Sequence, residues 1–188
     1  MFLIPALLKK VKGIDLDREG ISVIPIYGVH FDVYAKLFSA GALPKKCAIV
    51  TDGDLQPSDA DPSLEGEDDL PAPPDLSEFE SDFVRVFACQ TTFERALVFQ
   101  GTLEMFARAA DDIGAPMVAK HLRKAASRLP RAEEDEAKAI LRNERKRVLN
   151  TAKRFGKARF AQIAARHVDQ ATKIPKYLDD AAAWIIEP

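Results

Sequence analysis

Apolar residues in the first quarter of the chain alternate between two kinds of spacing. Met1–Val11 has helical spacing and ends near Gly13, whereas Ile21–Tyr27 is a short β-branched run that predicts a strand. The same pair repeats, with a helical stripe over Phe31–Phe38 and a buried strand over Cys47–Val50. Strands that are apolar throughout and separated by helices predict an α/β fold, a parallel sheet flanked by helices.

The pattern of apolar residues changes after the first quarter of the chain. Asp52–Ser81 holds five of the twelve prolines and little aliphatic periodicity, which predicts a long surface loop. Phe83–Phe87 returns to strand character, and helical spacing then continues to the end of the chain. The predicted helices are Thr91–Asp112, Pro116–Arg128, Ala132–Lys153, Ala158–Val168 and Pro175–Ile186. We therefore expect an additional helical segment in the C-terminal half.

Charge is unevenly distributed over the 188 residues. The formal net charge of −2 does not by itself suggest a polyanion-binding protein. However, residues 52–82 carry twelve acids and no Lys or Arg, while residues 120–159 carry fourteen basic residues against five acids. The basic cluster is of the kind that binds phosphate backbones, although a solvated helix face would have the same composition.

Cysteine content and hydropathy bear on the compartment. Cys47 and Cys89 each lie in or beside an apolar run, which suits buried thiols in a reducing environment. Met1–Leu8 is apolar but too short to span a membrane, and it has neither a basic leader nor a cleavage site. A cytoplasmic protein with no membrane partner is expected.

The tetrapeptide Thr51–Asp54 is the most informative short motif. Asp52 and Asp54 follow an apolar strand, and the intervening Gly53 lets the backbone turn so that both carboxylates can bind one hard cation. Oxygen ligands of this kind favour magnesium or manganese over zinc. Alternatively, the two acids simply begin the acidic loop. The position of the motif supports a metal site, because parallel sheets bind ligands at the carboxyl ends of their strands.

Two further residues are candidates for the same site. Glu94 follows the next predicted strand, where it can join the two aspartates, although it also suits the first turn of a helix capped by Thr91 or Thr92. Lys157 follows a glycine that breaks one helix, and it begins the next. A lysine at that end of a helix opposes the helix dipole, which suggests an anionic partner.

Several common functional motifs are absent from the sequence. It contains no Walker-type glycine loop, no GxGxxG and no GxSxG, so ATP hydrolysis, dinucleotide binding and serine hydrolysis have no support within it. No pair of histidines has the spacing of zinc ligands.

Taken in order, five motifs resemble the Toprim nuclease region of the OLD family, named for overcoming lysogenisation defect. They are Phe2–Leu7, Gly20–Pro25, Thr51–Asp54, Thr92–Glu94 and Gly156–Ala161. The resemblance covers nearly the whole chain. It implies a Toprim-like α/β core over 1–104 with the acidic loop 52–82, a basic helical segment over 105–154, and C-terminal helices over 155–188 that pack on the core.

The resemblance also implies an activity, that of a DNA endonuclease using two Mg²⁺ or Mn²⁺ ions. Asp52, Asp54 and Glu94 match the family's metal ligands, and Lys157 matches the lysine that stabilises charge in the transition state. Phe93 stands where the family usually has Leu. The basic helices would hold DNA by its phosphates. Their candidate contacts are Arg142, Arg145, Lys146, Arg147, Lys153, Arg154 and Arg159.

Family members carry further parts upstream of this region. These are an ABC-type ATPase domain and a first strand followed by a Glu-x-x-x-Glu motif. ATP would act only through the ATPase domain. We expect the present chain to begin after both, so that it is the catalytic fragment of a longer protein and is inactive by itself if those glutamates are required. A homodimer formed through the missing part is also expected.

Two other functions are compatible with the same acids. One is a Toprim module that binds DNA without cutting it, as recombination mediators do. The other is a nucleotidyl-transfer enzyme of the primase or topoisomerase kind. A topoisomerase needs a tyrosine nucleophile, and none of Tyr27, Tyr34 and Tyr177 lies in a motif that suggests one.

Overall fold

The computed structural model describes residues 2–26, 31–53, 75–89 and 91–187. Within these ranges, two strands and eight α-helices form. The strands are β1 (Cys47–Asp52) and β2 (Val84–Cys89). The helices are α1 (Leu3–Leu7), α2 (Phe31–Leu37), α3 (Phe93–Ala96), α4 (Leu103–Asp112), α5 (Pro116–Arg128), α6 (Glu134–Phe155), α7 (Lys157–Arg166) and α8 (Lys176–Ile186). The predicted α/β class is confirmed.

Shorter helical pieces complete the described chain. A π-helical segment, Leu8–Lys12, continues α1 as far as Gly13, whose φ of 74° ends it in the left-handed region. Single 3₁₀ turns occupy Ser77–Phe79 and Leu129–Arg131. No helix in the described ranges is both long and apolar enough to cross a membrane.

The two strands pair in parallel, with Cys47 opposite Val84 and Asp52 opposite Cys89. Because the strands run in the same direction, Asp52 and Cys89 end at the same edge of the sheet. This is the edge at which parallel α/β sheets bind ligands. The predicted parallel pairing of the two apolar runs is therefore confirmed.

Helices cover both faces of this sheet. Val84 and Ile49 are buried with Phe31 of α2 on one face. Successive side chains of a strand point to opposite faces, so Arg85 and Phe87 lie on the other. There α8 contacts both strands. The Trp184 ring of α8 lies 6.2 Å from the Phe87 ring, and the Arg85 guanidinium stacks 5.5 Å from the Trp184 ring centroid.

The main hydrophobic core lies among the later helices. It includes Leu103 of α4, Leu122 of α5, Val148 of α6 and Phe160 of α7, all at most 2% exposed. Leu3 and Leu7 of α1 belong to the same cluster. The amino-terminal helix and the C-terminal helices thus share one core, which fixes α7 relative to the rest of the molecule.

The single helix predicted over Thr91–Asp112 is wrong, because α3 and α4 are separate. Between them the Thr102 hydroxyl donates to the Leu97 carbonyl and accepts from the Phe99 amide at 3.2 Å. A threonine that bonds to nearby backbone in this way competes with the helical hydrogen bonds. The chain therefore turns between the two helices.

The strand predicted over Ile21–Tyr27 is also not found in its described part, residues 21–26. The Ile21 amide donates instead to the Leu16 carbonyl at 2.8 Å. Pro25 has no amide hydrogen to give to a sheet. Tyr27, and residues 54–74 of the predicted surface loop, lie outside the described residues.

Gly101 allows the α3–α4 connection to touch the segment before α8. The Lys173 amide donates to the Gly101 carbonyl at 3.1 Å. A Cβ at position 101 would lie 2.6 Å from Lys173 Cβ and 2.7 Å from its Cγ, both near the backbone and unable to swing away. We expect Gly101→Ala to lower the free energy of unfolding by about 1–3 kcal/mol, measured by urea denaturation.

Gly41→Ala is the matched control for that variant. A Cβ at position 41 meets nothing within 4 Å, and Gly41 is exposed. Its substitution should leave the denaturation midpoint almost unchanged. If both variants are as stable as the parent, the close approach of Lys173 does not hold the two segments together.

Candidate functional site

Asp52 is the last residue of β1 and is half-buried. The strand forms because Ala48–Val50 is apolar on both faces, and it ends where Gly53 turns the chain. The Gly53 amide donates to the Thr91 carbonyl at 3.3 Å. The segments that leave β1 and β2 are therefore held together directly beyond the sheet edge.

Asp52 also contacts the helix that follows β2. Its Oδ2 accepts from the Phe93 amide at 3.4 Å, at the first residue of α3. Thr92 occupies the N-cap position of α3, as predicted, but its hydroxyl makes no capping bond and is buried without a partner. The Asp52 carboxylate, from the neighbouring strand, thus bonds to a backbone amide that the side chain of Thr92 does not cap.

Glu94 lies in the first turn of α3 and is about one-fifth exposed. Its Oε1 lies 3.0 Å from Nζ of Lys157. Lys157 is the first residue of α7, and Gly156 separates it from α6 with a φ of 91°. The helix break predicted at Gly156 is therefore confirmed. It places a lysine from the C-terminal helices against an acid that follows β2.

These contacts bring together three of the four residues predicted to be catalytic. Asp52 accepts a hydrogen bond from the first turn of α3, and Glu94 belongs to that turn. Lys157 in turn pairs with Glu94. The fourth, Asp54, lies outside the described residues. Among the residues that the structure describes, no group of three or more His, Cys, Asp and Glu side chains is arranged to hold a metal ion.

The chemistry of the donors nevertheless suits a hard cation. Asp52 and Glu94 offer carboxylate oxygens, and magnesium commonly binds through one or two carboxylates while keeping several waters. The positive charge of Lys157 offsets one of the two negative charges when no cation is bound. The donor atoms of Asp52 and Glu94 are therefore of the kind that bind magnesium or manganese, and the described residues offer no set of softer ligands.

Two residues that the sequence did not indicate lie behind the carboxylates. Cys89 is opposite Asp52 in the sheet, and its thiol contacts the Thr91 carbonyl at 3.2 Å. Burial raises the pKa of Cys89 to about 11, and the Asp52 charge adds to the rise. The hydroxyl of Tyr177 on α8 is buried beside the Cys89 thiol. A tyrosine on a helix that covers a sheet face has no distinctive sequence signal.

The predicted DNA contacts lie on α6, except Arg159, which is on α7. Two of them serve the fold as well. Arg145 Nε donates to the Val98 carbonyl at 3.1 Å, and Arg147 Nε donates to the buried Glu144 at 3.1 Å. The exposed members are Arg142, Lys146, Lys153, Arg154 and Arg159.

An open cavity of about 410 Å³ lies beside these basic residues, where α6 passes the start of α5. Its lining includes Asn143, Lys146, Arg147, Asn150 and Arg154. The binding of DNA by this surface stays a prediction.

An α/β domain with acids at the carboxyl ends of neighbouring parallel strands is the arrangement found in the Toprim class of fold. Comparisons with known proteins show which members of that class the chain is similar to. Residues 1–54 match the model of the overcoming lysogenization defect protein-like Toprim domain. No curated protein matches the chain significantly.

Solved structures extend the similarity to nearly the whole chain. The C-terminal region of the Burkholderia pseudomallei OLD protein matches with a TM-score of 0.64 and 26% identity, over 98% of this chain and 90% of that one. The C-terminal region of the Xanthomonas campestris pv. campestris OLD protein shares the fold, with a TM-score of 0.59, 22% identity and coverage of 98% and 88%. The resemblance to the OLD Toprim region is confirmed.

Proposed function

We propose that the chain is the Toprim nuclease module of an OLD-type protein and cleaves phosphodiester bonds of DNA with divalent cations. The observation that supports this most is the junction at the sheet edge. Asp52 from β1 and Glu94 after β2 meet the same first turn of α3, with Lys157 on Glu94. Acids from two adjacent strand ends with a lysine beside them suit phosphoryl chemistry.

Each side chain has a separate role in this proposal. Asp52, Glu94 and Asp54 would hold Mg²⁺ or Mn²⁺, with Asp54 supplied from outside the described residues. Two such ions, when bound, lower the pKa of a water and stabilise the leaving oxygen. Lys157 would offset negative charge at the phosphorus centre from a preset position. Its pairing with Glu94 keeps the ammonium group at the site before DNA arrives.

The exposed basic side chains of α6 and α7 would hold the duplex by its phosphates, without reading sequence. Arg145 would contribute charge while its hydrogen bond to the Val98 carbonyl fixes α6 to the segment after α3, and Arg147 would do so while it pairs with Glu144 within α6.

The protein context is also part of the proposal. The similar structures are described as C-terminal regions of OLD proteins, which supports an upstream domain. We infer that this domain is an ABC-type ATPase, that a strand and a Glu-x-x-x-Glu motif lie between it and the Toprim region, and that a homodimer forms through these upstream parts. The free thiols of Cys47 and Cys89 support a cytoplasmic location.

A second candidate function is a module that binds DNA without cleaving it. It is favoured by the absence, within the described residues, of a three-ligand metal group. The two functions predict different products from the same binding surface.

A cleavage assay with supercoiled plasmid distinguishes these functions. It should be run with this chain and with the longer polypeptide that we propose contains it. We expect nicked circles in Mn²⁺ or Mg²⁺, and no product once EDTA removes the cation. Retarded plasmid without product, in both forms of the protein and with every cation, would favour the binding module. Incorporation of labelled nucleotides on a template would instead indicate a primase.

A further inference from the structure

The cavity between α5 and α6 combines three kinds of lining. One part is apolar and is formed by the half-buried side chains of Ala115, Val118 and Phe155. A second part consists of the side-chain amides of Asn143 and Asn150. The volume of about 410 Å³ falls within the range of roughly 300–1,000 Å³ that small-ligand sites occupy. The cavity is therefore large enough for one flat, partly polar molecule.

Cationic groups form the third part of the lining, from Lys146, Arg147 and Arg154. The Arg147 guanidinium is held by Glu144, with Nε donating at 3.1 Å. The Arg154 guanidinium lies 5.2 Å from the centroid of the Phe155 ring. No acidic side chain is among the described residues that line the cavity. An anionic group is therefore favoured beside the apolar wall.

The asparagines distinguish this lining from a surface that holds only phosphates. Asn143 and Asn150 are two helical turns apart, so they lie on one face of α6 with the basic residues between them. They are the only asparagines among the 188 residues. Phosphate oxygens can only accept hydrogen bonds, whereas an amide side chain both donates and accepts. The edges of nucleobases carry donors as well as acceptors, so they match an asparagine fully.

Phe155 also connects the cavity to the proposed reaction site. It is the last residue of α6 and stands two positions before Lys157 of α7, so their Cα atoms are at most about 7.6 Å apart. Lys157 in turn contacts Glu94 at 3.0 Å. A DNA strand with one nucleotide in the cavity can therefore bring a neighbouring phosphate to Lys157.

We propose that this cavity binds one unpaired nucleotide of a DNA strand. The base lies against the apolar wall, the asparagine amides bond to its edge, and the cations hold its phosphate. The inference rests on the proposed function, to which it adds a substrate class, DNA with an unpaired nucleotide near the cleaved bond. A fully paired duplex offers the cavity only phosphates, because its bases are stacked and paired.

Three labelled duplexes test the proposal by fluorescence anisotropy, in EDTA so that none is cleaved. The first is fully paired, the second has one bulged nucleotide, and the third has an abasic bulge at the same position. The two bulged duplexes carry the same phosphates and differ only in the base. We expect the second to bind this chain about tenfold more tightly than the other two, as contacts with an unstacked base allow.

Asn143→Ala with Asn150→Ala should abolish this preference and leave the affinity for the paired duplex within about twofold. Both side chains are exposed, so Tm should not change. Gln170→Ala is the control, because it removes an exposed amide in the turn after α7 and should keep the preference. Arg154→Gln should weaken the binding of all three duplexes, since each of them carries phosphates.

Two results would overturn the proposal directly. One is a double asparagine variant that prefers the bulged base as the parent does, and the other is a parent that binds the abasic bulge equally well. A free deoxynucleoside monophosphate should compete weakly, because it lacks the neighbouring phosphates. Competition at a concentration similar to that of the duplex would show a site for soluble nucleotides instead, and would also refute the proposal.

The plasmid assay separates this inference from the proposed function. Nicking by a parent that shows no preference for the bulged base refutes only the nucleotide site. A preference for the bulged base in a protein that never nicks refutes the nuclease and leaves the cavity as the base site of a binding module. If the parent binds none of the three duplexes, both proposals fail.

Discussion

Replacing Asp52 and Asp54 together by alanine is expected to reduce cation-dependent nicking of plasmid by at least about a thousandfold, because the hard oxygen ligands from the end of β1 are lost. The remaining described carboxylate, Glu94, is paired with Lys157 at 3.0 Å. One paired carboxylate should not retain divalent cations well. The measurement is the initial rate of nicking in Mn²⁺, using whichever form of the protein cleaves.

The fold should survive this double substitution. The bond that Asp52 Oδ2 accepts from the Phe93 amide is long, at 3.4 Å, so the loss of this contact should cost less than about 1 kcal/mol. Asp52→Asn alone refines the test, since the amide oxygen can still accept from Phe93 while the charge is gone. Loss of nicking in that variant would assign the effect to charge and not to the cap of α3.

Asp17→Ala with Glu19→Ala is the matched control for the double variant. These exposed acids have the same spacing and remove the same formal charge. Their substitution should leave nicking within about twofold of the parent, because surface changes away from a site have small effects. Undiminished cleavage by the Asp52 and Asp54 variant, in a protein that needs a cation, would rule out this metal site.

The sequence predicted the structure correctly where a local residue pattern is enough to determine a strand or the end of a helix. The runs that became β1 and β2 are mostly apolar, and helices cover both faces of their sheet, so a parallel pairing was the favoured solution. It follows from parallel pairing that Asp52 and the chain before Glu94 share an edge. Gly156 likewise marked the start of α7, because its backbone has φ of 91°. These features placed three candidate residues of the site.

The predictions were wrong where contacts between residues from different segments determine the local structure. Residues 21–26 have the composition of a strand, but the Ile21 amide turns back to Leu16. The break between α3 and α4 depends on hydrogen bonds of Thr102 that periodicity does not reveal. Arg145 resembles any other basic residue of α6, yet it bonds to the carbonyl of Val98, 47 positions away. The proposed segment boundaries and DNA contacts stay predictions.

Tyr177 shows the same limit for the site itself. In the sequence it is one of three tyrosines, and the only role considered for it was that of a nucleophile. Its place beside Cys89 exists only because α8 returns to cover the strands. A contact that depends on the packing of a distant helix has no motif of its own, so sequence spacing could not identify it.

Lys157→Ala is expected to slow nicking by about a hundredfold or more, while the protein still binds Mn²⁺. In the cation-free protein the Lys157 ammonium pairs with Glu94, and it is about half exposed. An ion pair at such a position contributes little to stability, at most about 1 kcal/mol, so Tm should change only slightly. Freed from Lys157, Glu94 should bind the cation as well as before or more tightly.

A lower nicking rate with undiminished Mn²⁺ affinity distinguishes a charge-stabilising lysine from one that merely organises the acids. Lys157→Arg keeps the charge and should recover part of the rate. Lys36→Ala removes a similar exposed lysine, paired with Asp32 at 3.5 Å, and should change neither the nicking rate nor the Mn²⁺ affinity. If Lys157→Ala instead loses Mn²⁺ and its rate together, Lys157 holds Glu94 in place. The charge on the phosphate would then have to be stabilised by another group.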